Sequence, residues 1–490
     1  MALLSLTDLS FSHDGVNMLF DNVSLQLDTN WKLGLIGRNG RGKTTFLRLL
    51  CGEYAHSGVI ASPVRFDYFP FAVPDPCMTV HELAEQVCPG LEPWQLERET
   101  SLMRLSPEAL SRPVSTLSGG EATKALLGIL FLRQNNFLLI DEPTNHLDAE
   151  ARLAVGEYLK RKKGFIIVSH DRRLLDTCVD HVLSINRAGI DLQRGNYSSW
   201  QENHDKQEQF ERAENDKLRK EVTRLGQAAR RSAGWSAKAE SAKFGNGPVD
   251  RGFIGHKAAK VMKKARSAEA RRHKALEDAS LLLNNVETDA PVSPLATTFH
   301  ARRLAEAVNL GVAHDDRYVF EGLSFSVMNG DRLVVRGGNG CGKSTLLRLL
   351  AGERLPFTGS LTIPGGLRVS YVPQDTSHVG GRLRDFARDN GIDEHRFRAV
   401  LHRLGFDRPQ FEVDMEDFSA GQKKKALLGC SLCQEAHLYV WDEPLNAIDV
   451  MSRIQIEAMI LEYRPSMVIV EHDAVFTERV GTAFLDLKAV

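Results

Sequence analysis

The sequence predicts an α/β protein: two tandem P-loop nucleotide-binding domains joined by a long α-helical hairpin, with no transmembrane segments. Three observations predict it. A Gly-rich phosphate-loop pattern occurs twice, as Gly37-Arg-Asn-Gly-Arg-Gly42-Lys43-Thr44 and Gly337-Gly-Asn-Gly-Cys-Gly342-Lys343-Ser344. Each copy is followed by a Ser-x-Gly signature and by an apolar run ending in Asp-Glu. Between the copies lies a strongly basic segment with helical periodicity.

The repeat is regular along its length. The lysines are 300 residues apart, the signature serines Ser118 and Ser419 and the aspartates Asp141 and Asp442 are 301 apart, and His170 and His472 are 302 apart. Such spacing means two copies of one fold. The domains are expected at 1–198 and 299–490, with the linker at 199–298. Trp31–Ile36 and Phe137–Ile140 read as buried parallel strands, and the Gly-rich loop opens a helix at Thr44–Leu50. No run approaches ~20 uninterrupted apolar residues, so no membrane helix is expected. Met1-Ala-Leu-Leu-Ser lacks the basic start of a secretory signal. Seven scattered cysteines suit reduced thiols and a cytoplasmic protein, and Cys430 and Cys433 read as core packing.

The motif chemistry follows from geometry. Residues without a β-carbon let successive backbone N–H groups turn inward around phosphate at a helix N-terminus. Gly37, Asn39, Gly40, Gly42, Thr45 and their repeats Gly337, Asn339, Gly340, Gly342, Thr345 form that cradle for ATP. Lys43 and Lys343 supply the cation for the β- and γ-phosphates, and Thr44 and Ser344 a hydroxyl for Mg²⁺. Asp141 and Asp442, at strand ends, position Mg²⁺ directly or through water. Glu142 and Glu443 are placed to polarise the attacking water, and His170 and His472 to reach the γ-phosphate. Phe11 is a candidate to stack on adenine, against plain core packing. Its repeat counterpart is Gly311, so the second pocket needs another group.

These motifs resemble the ATP-binding cassette family over all but residues ~200–300. The resemblance implies two composite sites, each closed from the opposite cassette. Ser419, Gly421 and Gln422 would then complete the Lys43 site, and Ser118, Gly120 and Glu121 the Lys343 site. It also makes Gln374, in Tyr371-Val-Pro-Gln374, a Mg²⁺-contacting residue. The first copy has Phe71 there, and its partner signature reads Ser-Ala-Gly-Gln. The Lys43 site is therefore expected to turn over more slowly.

Only 47 residues separate Phe71 from Ser118, and 45 separate Gln374 from Ser419. Transporter members of the family use a longer subdomain there, so a soluble partner is favoured over a membrane one. Lys217–Lys274 holds 17 Lys/Arg against 4 Asp/Glu, a net of +13 that leaves −14 on the rest of a chain whose total is −1. A basic block between acidic domains points to a polyanion. Helical patterns at ~199–232 and 256–283 flank a Gly/Ser-rich turn, which gives a hairpin with a cationic far end. Arg230, Arg231, Lys238, Lys243, Arg251, Lys257, Lys260, Lys263 and Lys264 suit RNA phosphates, and Phe244 and Phe253 suit base stacking.

Two cassettes, a basic hairpin and Gly195-Asn-Tyr-Ser-Ser-Trp200 before it are similar to the ABC-F ribosome-associated ATPases. Trp31-Lys-Leu-Gly34, Tyr68-Phe-Pro-Phe71, Arg251-Gly-Phe-Ile-Gly-His-Lys-Ala-Ala-Lys260 and Ala436-His-Leu-Tyr-Val-Trp-Asp-Glu-Pro-Leu-Asn446 resemble the Lsa/Vga-type resistance members. That resemblance implies a monomer entering the ribosomal E site with ATP and Mg²⁺ bound. The linker would reach past P-site tRNA to large-subunit rRNA near the peptidyl-transferase centre, displacing lincosamide, pleuromutilin and streptogramin A antibiotics. A housekeeping ABC-F translation factor is the competing expectation. A DNA-repair ATPase or an exporter subunit fits less well, for want of zinc modules, very long coiled coils or a long helical subdomain.

Overall fold

The computed structural model describes all residues except 1–2, 14, 16–17, 146, 187–188, 208, 211–292, 315–316, 339, 407 and 489–490. The first cassette runs β1 (Leu3–Ser12), β2 (Met18–Asp28), β3 (Lys32–Gly37), α1 (Lys43–Leu50), β4 (Ser57–Ala61), β5 (Arg65–Phe69), α2 (Val80–Val87), α3 (Pro93–Ser101), α4 (Pro107–Leu110), α5 (Gly119–Leu132), β6 (Asn136–Asp141), α6 (Ala149–Lys160), β7 (Phe165–Val168), α7 (Arg172–Cys178), β8 (His181–Asn186) and β9 (Gly189–Arg194). The second runs β10 (Arg303–His314), β11 (Arg317–Met328), β12 (Arg332–Arg336), α8 (Lys343–Leu350), β13 (Thr358–Thr362), β14 (Val369–Val372), α9 (Leu383–Asp389), α10 (Glu394–Arg403), α11 (Ala420–Cys433), β15 (Leu438–Asp442), α12 (Val450–Tyr463), β16 (Met467–Val470), α13 (Ala474–Val480) and β17 (Ala483–Asp486). By compactness the chain divides into Met1–Trp200 with Ala290–Val490 as one unit and Gln201–Asp289 as another. The proposed hairpin and all its basic and aromatic candidates, Arg230 to Lys264, lie outside the described residues.

Each cassette carries a mainly parallel sheet, ordered β5-β6-β7-β3-β8-β9 in the first and β14-β15-β16-β12-β17 in the second. A three-stranded antiparallel sheet accompanies each, β2-β1-β4 and β11-β10-β13. The continuous apolar strands follow from burial on both faces. On β6, Phe137 and Leu139 enter the core against α1, while Leu138 and Ile140 enter the core under the helical layer. On β15, Leu438 and Val440 take one face, and Tyr439 and Trp441 the other. Both strands then end in a carboxylate at their C-terminal edge, where ligands bind in open α/β sheets.

Trp441 is fully buried, with its indole N–H donating to Ser431 Oγ at 3.0 Å. Truncating it removes a large packed volume and one hydrogen bond, while Ser431 Oγ keeps its 2.7 Å bond to Ser370 Oγ. Trp441→Ala is expected to cost about 3–5 kcal/mol, read by chemical denaturation of the full chain. Cys430 and Cys433 are buried in the same core, and burial pushes both thiols up, so they pack rather than react. Among the described residues, no helix is long and apolar enough to cross a membrane.

The cassettes meet through buried polar contacts. Arg172 on α7 donates to Glu457 Oε2 on α12 at 2.8 Å, and both side chains are buried. Glu457 Oε1 also pairs with the half-exposed Arg479 at 2.6 Å. The repeat position of Glu457 is Gly156, so this tie exists on one side only. Removing one partner of a buried pair leaves an uncompensated charge, typically worth 3–5 kcal/mol. Glu457→Ala is expected to separate the unfolding of the two cassettes, visible as a split calorimetric transition.

Candidate nucleotide sites

Both phosphate loops are built alike. Gly42 and Gly342 cap the following helices at φ 85° and 91°, the left-handed region open to glycine. A β-carbon on Gly42 would lie 2.7 Å from Leu19 Cδ2, and one on Gly342 2.6 Å from Val319 Cγ1, so space as well as φ demands glycine. Lys43 Nζ donates to Gly37 O at 2.8 Å, Arg38 O at 3.3 Å and Asn39 Oδ1 at 3.3 Å. Lys343 Nζ donates to Gly337 O at 3.0 Å and Gly338 O at 2.8 Å. Burial lowers the Lys43 ammonium, opposed by Asp449 and Glu142. Each lysine is thus folded over its own loop as a buried cation that phosphate oxygens can take up. Asn339 lies outside the described residues.

The carboxylates differ between the copies. Asp442 is buried, with the Ser344 hydroxyl beside its carboxylate. Burial raises its carboxyl, the condition of a charge awaiting a cation. Mg²⁺ fits this position. Asp442, with Ser344 at the start of α8 and Gln374 after β14, would hold it, and the cation would polarise the terminal phosphate. In the first copy, Asp141 Oδ2 already accepts the hydroxyls of Thr44 and Tyr68, both at 2.8 Å. Phe71 packs against the core beneath the helical layer. Thr44 and Asp141 remain available to a cation there, but Tyr68 competes and no amide stands in for Gln374.

Glu142 and Glu443 both take left-handed backbone, φ 50° and 46°, strained for residues with a β-carbon. His170 Nε2 lies 3.2 Å from Glu142 Oε1, and His472 Nε2 lies 3.5 Å from Glu443 Oε1. Both pairs, with Asn446 and Arg453, line one cleft between the cassettes. Their electrostatics diverge. Burial and then Asp141 push the Glu142 carboxyl up to about 8. Burial also raises Glu443, but His472 and the Gln374 amide together bring it below its ordinary value. Burial holds His170 neutral.

A carboxyl raised on folding binds its proton more tightly in the native state. Its contribution to stability is therefore lost as pH climbs from the ordinary carboxyl range through about 8. Glu142→Gln is expected to raise the melting temperature of the nucleotide-free protein more at pH 8 than at pH 5. Glu443→Gln is expected to show no such widening.

The second signature meets the first loop. Asn39 Nδ2 donates to Ala447 O at 2.7 Å, and a β-carbon on Gly421 would lie 2.5 Å from Asn39 Nδ2. Ser419, Gly421 and the Lys43 loop are thereby brought together across the cassettes. Ser118, Gly120 and Glu121 open α5, and their pairing with Lys343 stays an expectation. The Glu121 and Gln422 side chains serve their own helices. Each closes a capping box, accepting from Ser118 N at 2.8 Å and from Ser419 N at 2.9 Å. They fix the N-termini of α5 and α11.

Phe11 is corrected. A bulge in β1 near Asp8 (φ 52°) keeps Leu9 and Phe11 both inward, and Phe11 is a core residue with 7% of its surface exposed. The exposed ring is His13, edge-on to Phe11 at 4.8 Å with Nε2 3.4 Å from Thr45 Oγ1. His13 stands where a base could stack. Its location two residues past Phe11, at a strand end, was the available signal. Tyr68, which opens the Tyr-Phe-Pro-Phe71 segment, also joins the site through its hydroxyl on Asp141.

The family model described as ABC transporter matches residues 20–145 and 320–446. The chain is 26% identical over 492 residues to the ribosome protection protein VmlR of Bacillus subtilis (strain 168), covering 97% of this chain and 85% of that one. It is 26% identical over 523 residues to the energy-dependent translational throttle protein EttA of Haemophilus influenzae (strain ATCC 51907 / DSM 11121 / KW20 / Rd), covering 96% and 89%. Among solved structures, the complex of archaeal ribosomal stalk protein aP1 with the archaeal ribosome recycling factor aABCE1 superposes at TM-score 0.63. That match has 19% identity and covers 98% of this chain and 87% of the other, a likeness of fold.

Proposed function

Because the chain belongs to the ATP-binding cassette family and is an ATPase of the ABC-F type, we propose that it is a ribosome-protection ATPase. It enters the ribosomal E site with ATP bound and extends residues 199–298 toward the peptidyl-transferase centre. Lincosamide, pleuromutilin and streptogramin A antibiotics are displaced there. One observation carries the reading: the +13 segment Lys217–Lys274 interrupts a chain whose two cassettes otherwise form one unit. The relative named a ribosome protection protein supports the same reading across nearly the full length.

The roles follow from the sites. Lys43 and Lys343 swing from their loop carbonyls onto phosphate oxygens. Glu443, beside His472 and the Gln374 amide, takes the proton of the attacking water; Glu142, with Phe71 in place of that amide, does so less readily. Ser419 and Gly421 close the Lys43 site from the opposite cassette, so ATP holds the cassettes together and hydrolysis frees them. His13 stacks on the base in the first site. The cytoplasm is the compartment this activity needs, and the acting species is the monomer.

Expression in a drug-sensitive bacterial host tests this reading. A rise in inhibitory concentration for at least one of the three drug classes is expected. No rise for any class favours a housekeeping translation factor, as the translational throttle relative suggests. Ribosome binding is also expected to fall with salt, at about 0.9 log units per log unit of salt for each duplex-type phosphate contact.

A further inference from the structure

Lys424 is a buried cation that hydrolysis as described leaves unused. It sits in the second turn of α11, and its Nζ donates to Pro373 O at 2.8 Å, Gln374 O at 3.4 Å and Asp442 O at 2.9 Å. Those carbonyls belong to the loop after β14 and to the end of β15, the two segments that bear Gln374 and Asp442. Burying an ammonium costs several kcal/mol unless it is well hydrogen-bonded, and here backbone alone supplies the partners. The first cassette has Thr123 at this position, too short to span the same gap.

The helix that carries Lys424 begins with Ser419, Gly421 and Gln422, and Gly421 lies against Asn39 of the first phosphate loop. One rigid turn of helix thus touches the Lys43 loop at its start and grips the backbone of the Lys343 site at Lys424. We propose that Lys424 is a positioning residue that couples the two ATP sites, tying the signature facing Lys43 to the backbone that presents Gln374 and Asp442. With only Thr123 in the other copy, the tie runs through the second cassette alone. Coupling is reciprocal in binding whichever way the contact is built. The proposal rests on the reading that the second signature completes the Lys43 site.

The test uses the full chain carrying Glu142→Gln and Glu443→Gln, titrated with a fluorescent ATP analogue. Affinity at the Lys43 site is compared with Lys343 intact, by two-site titration, and with Lys343→Ala. Emptying the second site is expected to weaken the first on the order of 5- to 10-fold, a typical coupling. With Lys424→Met, the same change is expected to matter less than about twofold. Loss of packing alone would weaken both sites alike and leave that ratio unmoved. If the Met variant does not fold, Lys424→Gln, which keeps a shorter donor, gives the same comparison. An undiminished ratio in the variant, or no coupling with Lys424 present, overturns the proposal. The shared-site reading fails separately, if Gly421→Asp leaves affinity at the Lys43 site unchanged.

Discussion

Glu443→Gln is expected to lower steady-state ATP hydrolysis by on the order of 10²-fold or more, and Glu142→Gln by less than about tenfold. A general base contributes roughly 10²–10⁴-fold when its protonation state suits the reaction. Glu443 lies beside both His472 and the Gln374 amide, which orient its carboxylate. Glu142 has the histidine but no such amide, because Phe71 stands where the second copy has Gln374. Asp141 also holds the Tyr68 hydroxyl besides that of Thr44. The Lys343 site should therefore carry most of the turnover, with the Lys43 site acting mainly through binding. Single-turnover measurement on each variant checks this. Equal rates would mean that the differences around Asp141 and Asp442 have no kinetic weight.

Gly421→Ala is expected to weaken ATP-driven closure of the Lys43 site even though one methyl is added. The new β-carbon would overlap the Ala447 carbonyl oxygen and sit 2.5 Å from Asn39 Nδ2. Two of those neighbours are fixed, one by its backbone and one by its 2.7 Å hydrogen bond to Ala447 O. Overpacking of this kind costs about 1–3 kcal/mol, or roughly fivefold to 150-fold in the closure equilibrium. Asn39→Ala removes only the hydrogen bond and is expected to cost about 0.5–1.5 kcal/mol. A distance probe between the cassettes, read with and without ATP in the Glu142→Gln/Glu443→Gln protein, separates the two variants. Closure by Gly421→Ala at wild-type ATP concentration would show that the contact is not part of the closed site.

Much of this was legible in the sequence because the chemistry is local. Gly-x-x-x-x-Gly-Lys, the strand-ending Asp-Glu and the histidines each sit in one short segment with one geometry. What escaped the sequence depends on distant or backbone partners. Lys424 acts on carbonyls about 20 and 50 residues away, which no side-chain pattern records. Phe11 misled because the bulge at Asp8 resets which residues face inward. Glu121 and Gln422 belong to the signature, and their three-residue offset from Ser118 and Ser419 is also that of a capping box, a structural role the motif does not announce. The linker remains a reading from charge and periodicity.

The central claim is that ATP closes this protein onto a ribosome. Sedimentation of the Glu142→Gln/Glu443→Gln protein through a sucrose cushion with bacterial ribosomes tests it most directly. Co-sedimentation with ATP, absent without nucleotide and weakened by salt, is the predicted result. Failure to co-sediment with ATP, or equal binding without it, would contradict the account.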